Sequence, residues 1–389
     1  MPTKKLKNCQ ATNSAAAAVA ACEDLMLCVL TRLPVKSICR FKSVCKPWNH
    51  LFSTQEFIKM QFKLSKESKN QSFLVHRVNK NGSNTISVFN IDSNEKKARI
   101  LDHPFNYTRI RIDIVGCCNG LVCIRRGIGF VLWNPAMNLF KTVSPLKDHG
   151  IFESASLGFG YDAEGDDFKV VRILLKNQGR LRMRVNWVEV YSVKSDSWTK
   201  IDPGFQFSEL PIVSDATVNG NPYWVVKVDE NDVLICFDMS KLVFKIVSLS
   251  TLDYNEADPD VEFVDLNGSL GALVFTWRSD RIANVDAWVF DDGVQIWTKS
   301  HRVGPIEVKM NRVVRCLKDG RVLGKRPKGQ LIVFNSETKC VKGLFNVAPE
   351  GQDFEIYEYT ASMAFIEGME KVTLRKRPHL RKRKRKWCH

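Results

Sequence analysis

Cysteine and histidine are the residues of this chain best suited to hold a metal or to attack a substrate, with twelve of the first and seven of the second. Their spacing argues against both roles. Cys117 and Cys118 are adjacent, and Cys123 follows with no nearby pair of histidines, which is not the spacing of a tetrahedral zinc site. A strand through these residues would turn Cys118 and Cys123 to opposite faces, leaving them as small buried apolar side chains. The histidines form no His-Glu-x-x-His pair, and no Gly-x-Ser-x-Gly elbow occurs. No helical pattern follows Gly158-Phe159-Gly160 to cradle a phosphate. The reading is a chain with no catalytic residue, no metal and no cofactor.

Two other constellations bind rather than react. Trp133, Trp187, Trp198, Trp224, Trp277, Trp288 and Trp297 could stack on bases or sugars. They recur at repeat positions, however, so the expectation is that they fill the spaces between sheets. The second constellation is cationic. From Lys371 to His389 there are ten Lys or Arg and no acid, so the preceding residues carry only +6 of the net +16. That leaves no extended basic face of the kind nucleic-acid-binding proteins show. Arg375, Lys376, Arg377, Arg381, Lys382, Arg383, Lys384, Arg385 and Lys386 repel one another and cannot enter a core. They are expected to form a solvated tail over 371–389. Short Lys/Arg runs of this kind serve nuclear import, each cation adding a charge-assisted contact to an acidic receptor groove. The expected location is therefore nucleus and cytoplasm. The same charge would also touch RNA or an anionic membrane.

These residues need elements to position them. No apolar run approaches the ~18 residues of a membrane helix. Scattered thiols in a chain of this size suit a reducing compartment. Residues 1–22 read as a flexible, Ala-rich leader. From Glu23 a helical period begins, with Leu25, Val29, Leu30 and Leu33 on one face and Leu33-Pro34 closing the helix. A second helical run carries Ile38, Phe41, Val44, Cys45, Trp48, Leu51 and Phe52, with Pro47 expected to kink or end it. A third, over Phe57, Ile58 and Phe62, has a capped start at Ser53-Thr54-Gln55-Glu56. So small a bundle buries too little surface to stand alone, and must pack on a partner or on the rest of the chain. Residues 65–72 read as a linker.

From 73 to 370 short apolar runs alternate with Gly, Asn, Asp and Pro turns. One unit recurs: a strand ending in an aromatic, a polar turn and a second strand. Its aromatics are Phe89, Trp133, Tyr191, Phe237, Phe290 and Phe334, with Phe140, Trp198, Phe244 and Trp297 after the turn in four copies. Asn119-Gly120, Asn219-Gly220, Asn267-Gly268 and Asp319-Gly320 supply the positive φ of tight hairpins. Four strands per ~45 residues, repeated radially, is a β-propeller, here with about six blades. Tyr359–Ile366 has strand composition, and the first repeat is short of strands. The expectation is that this C-terminal strand closes the ring and removes its open sheet edges.

The register Glu23-Asp24-Leu25, Leu30-Thr31-Arg32-Leu33-Pro34-Val35-Lys36-Ser37 and Arg40-Phe41-Lys42-Ser43-Val44-Cys45-Lys46-Pro47-Trp48 resembles an F-box, placed at 23–64. Ala21-Cys22 stands where that family usually has Leu-Pro. Gly116-Cys117-Cys118-Asn119-Gly120-Leu121-Val122-Cys123, Leu132-Trp133-Asn134-Pro135, Leu157-Gly158-Phe159-Gly160-Tyr161-Asp162 and Phe168-Lys169-Val170-Val171 resemble the kelch-like F-box-associated propeller of plant F-box proteins. The resemblance implies a non-catalytic receptor subunit of a Skp–cullin–F-box ubiquitin ligase. Leu25, Val29, Leu30, Leu33, Pro34, Ile38, Phe41, Val44 and Trp48 would then face or support the Skp-type adaptor, and the propeller would hold a protein substrate. Loops 177–183 and 253–260 are candidates for that recognition surface. The other reading is a nuclear scaffold that binds nucleic acid or protein through tail and propeller without a ligase.

Replacing Arg381 through Lys386 with Gln in a fluorescent fusion is expected to lower the nuclear-to-cytoplasmic ratio. An unchanged ratio would remove the import role of the tail.

Overall fold

The structure is a computed structural model. It describes residues 24–372 except 69–70, 94–96, 106–111, 128, 145–153, 178–182, 205–213, 215, 229–230, 254–260, 279–280, 307, 309, 311, 318, 327–328 and 347–353. The leader, most of the basic tail and both candidate loops apart from Asn177, Met183 and Asp253 lie outside the described residues.

Helices occupy residues 24–30 (α1), Val35–Phe41 (α2), Lys46–Leu51 (α3) and Gln55–Glu67 (α4). The second run expected from sequence is two helices. Pro47 opens α3 instead of ending its predecessor, because the first turn of a helix needs no N–H from proline. At α4 the Thr54 side chain caps the start by accepting from the Phe57 N–H. This helix also runs into the expected linker as far as Glu67, since Lys63, Ser65, Lys66 and Glu67 are compatible with a solvent-facing helix surface.

The strands form six sheets, each antiparallel throughout. Blade 2 contains Asp113–Cys118, Leu121–Arg126, Gly129–Asn134 and Leu139–Val143. Blade 3 contains Ser154–Asp162, Asp167–Asn177, Met183–Ser192 and Ser197–Ile201. Blade 4 contains Ala216–Val218, Asn221–Val228, Asn231–Asp238 and Val243–Val247. Blade 5 contains Val261–Leu266, Ser269–Arg278, Arg281–Asp291 and Ile296–Val303, and blade 6 contains Arg312–Cys316, Val322–Lys325, Gln330–Phe334 and Val341–Asn346. Blade 1 draws on both ends of the chain. Phe354–Glu358 pairs with Ser72–Val78, which continues to Asn84–Asn90 and Arg99–Ile100.

Ring closure by the C-terminal region is thus present, but the closing strand is Phe354–Glu358 and not Tyr359–Ile366. After Tyr359, whose N–H still bonds Ser72 O, the chain leaves the ladder. It becomes a strap held under blade 2 by the buried Asn134 amide, which donates to Ser362 O (3.1 Å) and Ala364 O (2.8 Å). Glu370–Lys371 then adds an outer strand beside Leu139 and Phe140, so the ordered chain extends past the expected start of the tail.

Successive side chains on a strand point to opposite faces, and here both faces are covered. Phe73 and Val75 enter the core shared with blade 6, while Leu74 enters the core shared with blade 2. Ile235 and Phe237 pack toward blade 3; Leu234 and Cys236 pack toward blade 5. The repeated aromatics end the third strand of every blade. In blades 2 to 5 each faces the outer-strand aromatic in register: Trp133 with Phe140, Tyr191 with Trp198, Phe237 with Phe244, Phe290 with Trp297. The Asn or Asp that follows caps the turn. Asp238 Oδ1 accepts from the Ser240 and Lys241 N–H groups, and Asn335 Oδ1 from Glu337 and Thr338. Gly160 explains its own identity: a Cβ there would lie 1.8 Å from Gly220 O, where blades 3 and 4 meet.

The helices pack on this ring. Leu30, Val35, Ile38, Phe52 and Phe57 form a core completed by Met363 of the strap, with Ala136, Met137 and Ala361 against it. The rings of Phe41, Trp48, Phe52 and Phe57 pack in succession, tilted to one another, at 5.0–5.8 Å between centroids. Lys59 of α4 reaches Asp166 of blade 3 at 2.7 Å, and the Tyr161 hydroxyl donates to the same carboxylate. The bundle that cannot stand alone is therefore covered, on one side, by its own chain.

Two tests follow from this packing. Met363→Ala is expected to cost about 2–5 kcal/mol, the range for truncating a buried methionine. Amide exchange in α1–α4 should then accelerate at least about tenfold while blades 4 to 6 stay protected; unchanged exchange would mean the strap does not hold the helices.

The second concerns His103, buried against Trp133, whose Nδ1 accepts from the Phe105 N–H. Burial pushes this imidazole down to about 4, although a bond to the Asn84 backbone opposes the shift. The unfolded chain binds the extra proton below about 6.5, so stability is whole above that pH and falls toward pH 4, by up to about 3 kcal/mol. His103→Gln should flatten the denaturation midpoint between pH 7 and pH 5. A profile as steep as that of the unaltered protein would reassign the acid sensitivity.

Candidate functional site

Antiparallel strands send alternate connections to opposite faces of the ring. Turns between first and second strands, and between third and fourth, emerge on one face. Connections between second and third strands, and the crossings between blades, emerge on the other. The helices touch Ala136 and Met137, in a third-to-fourth turn, and Asp166, in a first-to-second turn. They occupy the first face and leave the second free.

The nine helical residues singled out from sequence divide three ways. Leu30 and Ile38 are buried in the bundle's own core. Leu33, Phe41 and Trp48 are half-buried against it. Leu25, Val29, Pro34 and Val44 are exposed, with Leu25 at 66%, Val29 at 55% and Val44 at 63%. Pro34 lines a cavity against the ring. Leu25 and Val29, one turn apart, share a helix face.

The physical anomaly is α1. Residues 25–30 read Leu-Met-Leu-Cys-Val-Leu, apolar on every side. A helix of that composition belongs in an interior, yet its own chain covers only Leu30 fully and Leu27 in part. Met26 is exposed beside Leu25 and Val29. Met26 lies off the single stripe that the spacing of Leu25, Val29 and Leu33 defines, and only the all-round apolar composition of the helix marks it.

The strand ends that flank the expected recognition loops at 177–183 and 253–260 lie toward the opposite face, where Asn177 pairs with Met183 across the blade 3 hairpin. Trp277, at the end of the second strand of blade 5, is 44% exposed. Trp133, Trp224 and Trp297 are buried between blades, as the repeat positions imply, and Trp198 and Trp288 are half-buried.

The buried thiols of the ring are not set up as nucleophiles. The turn at Asn119-Gly120 puts Cys118 and Cys123 on two paired strands instead of the one strand expected from spacing. Burial pushes the Cys123 thiol well up and Cys236 up to about 11. A nucleophile or metal ligand must be a thiolate, and these are held protonated. Among the described residues no His, Cys, Asp and Glu converge as metal ligands, and no helix is long and apolar enough to cross a membrane.

The F-box domain family matches residues 22–60, and the F-box associated beta propeller domain family matches residues 74–365. The chain is similar to F-box protein At5g36730 of Arabidopsis thaliana, 29% identical over 247 residues that cover 56% of this chain and 57% of that protein. It is also similar to the F-box/kelch-repeat protein At3g23880 of the same plant, 26% identical over 295 residues, 71% of this chain and 77% of the relative. The chain spans a little over half the length of the first of these relatives. With the helical box, the closed six-bladed ring and both family matches in the same order, the chain belongs to the plant F-box proteins that carry an F-box-associated β-propeller domain.

Proposed function

We propose that this chain is the substrate receptor of a Skp–cullin–F-box ubiquitin ligase, docking on the Skp-type adaptor through its helices and holding a protein substrate on the free face of the ring. The observation that carries the reading is α1, apolar all round, with Leu25, Met26 and Val29 uncovered and Val44 exposed in the turn before α3. Large apolar side chains left in water at the centre of a surface are the anchors of protein interfaces. The relatives carry F-box and kelch-repeat names, in keeping with a helical box joined to a propeller. In this reading the chain has no catalytic role of its own. The adaptor lies on the turn face and the substrate on the loop face, so a bound protein sits across the ring from the ligase machinery. The basic tail would carry the receptor to the nucleus as well as the cytoplasm.

Leu25→Asp combined with Val29→Asp is the direct test. Both positions are exposed, so the ring and the bundle core should keep their melting temperature. Copurified Skp adaptor is expected to fall at least about tenfold, as when interface anchors are replaced by charge. Equal adaptor recovery from the double variant and the unaltered protein would refute the docking face. Changing Leu33 is less informative, because that side chain also supports the bundle core.

A further inference from the structure

Between the helices and blades 1 and 2 lies a cavity of about 200 Å³. Pro34 and Val35 wall it from the helical side; Val88, Leu101, Pro135 and Ala136 wall it from the ring. Two cations line it from the two sides, Lys36 of α2 and Arg99 of blade 1. Neither makes an ion pair among the described residues. Burial lowers the Lys36 ammonium, and the Arg99 charge lowers it further; Asp102 offsets this more weakly than Arg99 acts. Gln61 and Tyr359 line the same cavity, each more than nine-tenths buried. The Gln61 side-chain oxygen has no hydrogen-bond partner, and the Tyr359 hydroxyl, whose oxygen faces the Ala136 backbone, donates to no group.

An interface built only for packing has no use for a buried hydroxyl that donates to nothing beside a void whose solvent-exposed rim carries two cations. An anion between the cations removes the repulsion, and a carboxylate can also accept from the Tyr359 hydroxyl. Size limits the rest of the occupant. An apolar cavity of roughly 150 Å³ admits one benzene ring, so this one has room for a ring and a carboxylate. We propose that the cavity binds a small monocarboxylic acid with a single-ring or equally compact apolar body, its carboxylate held by Lys36, Arg99 and the Tyr359 hydroxyl. The ligand would touch α2 and α4 on one side and blades 1 and 2 on the other, tying the helical box to the ring.

Benzoate is the probe and benzyl alcohol its uncharged control, titrated into the full-length chain and followed by saturation-transfer NMR and thermal melting. Benzoate is expected to saturate with a Kd of about 0.1–1 mM, in keeping with the affinity that so few atoms can supply. It should also raise the melting temperature. Benzyl alcohol should bind at least about tenfold more weakly, since it lacks the charge. Lys36→Gln with Arg99→Gln, both at exposed positions, should melt like the unaltered protein and lose at least about tenfold in benzoate affinity. Ala136→Leu, which fills the cavity, should compete with the ligand. No saturable benzoate binding at about 10 mM would overturn the proposal and leave a water-filled gap. Equal benzoate affinity in the Gln/Gln variant, or equal binding of benzyl alcohol, would overturn it as well.

Discussion

Every blade of this protein is apolar on both faces, and that constraint governs the rest. A sheet with one wet face can stop at an edge; a sheet with two dry faces needs a neighbour on each side. Six such sheets satisfy one another only as a closed ring, in which the six apolar clusters lie between successive blades and the last lies between blades 6 and 1. Closure depends on the ladder from Phe354–Glu358 to Ser72–Val78. Those backbone bonds join the chain's two ends in one blade, so loss of the C-terminal strand would uncover both the ladder edge of Ser72–Val78 and the cores on either side of blade 1.

Among the described residues the ring also buries a paired charge. Arg172 and Glu189, on adjacent strands of blade 3, form a fully interior ion pair, and the guanidinium lies 4.2 Å from the Trp198 ring. Desolvating two charges gains little net stability, so this pair is better understood as fixing the register of those strands. At the turn face, Asn134 serves the fold twice: its side-chain oxygen caps its own turn through the Ala136 and Met137 N–H groups, and its amide nitrogen anchors the strap. The strap in turn presents Met363 to the helical core. A turn residue of one kind, Asn or Asp, repeated in five of the six blades for local reasons has, in blade 2, become the support on which the helical box rests.

That arrangement separates two surfaces. The helices cover part of the turn face and stand clear of the loop face, which is free to vary without disturbing the box. Within the box the coverage is one-sided. Met363, Ala136 and Met137 complete the core around Ile38 and Phe57, while Leu25, Met26 and Val29 remain in water. The two readings of a small apolar bundle, packing on its own chain or packing on a partner, are thus answered by different faces of the same helices.

Much of this was legible in the sequence because it is local. The aromatic followed by Asn or Asp is a property of one hairpin: the ring packs beside its outer-strand partner and the side-chain oxygen caps the turn, so Trp133-Asn134, Phe237-Asp238 and Phe290-Asp291 announce their blades without reference to the others. The Asn-Gly turns and the helical period of 23–62 are local in the same sense. What the tertiary structure alone decided is which neighbour each surface meets. Periodicity distinguishes the two faces of a strand but not whether a run of apolar residues joins a ladder, so Tyr359–Ile366 looked like the closing strand when Phe354–Glu358 performs that role. A helical stripe likewise cannot reveal that Ile38 faces Met363 from the far end of the chain while Leu25 stays exposed. Proline shows the same limit on a smaller scale: Pro47 marks a helix boundary in sequence, but only the packing of Trp48 against Phe41 and Phe52 determines that a helix begins there.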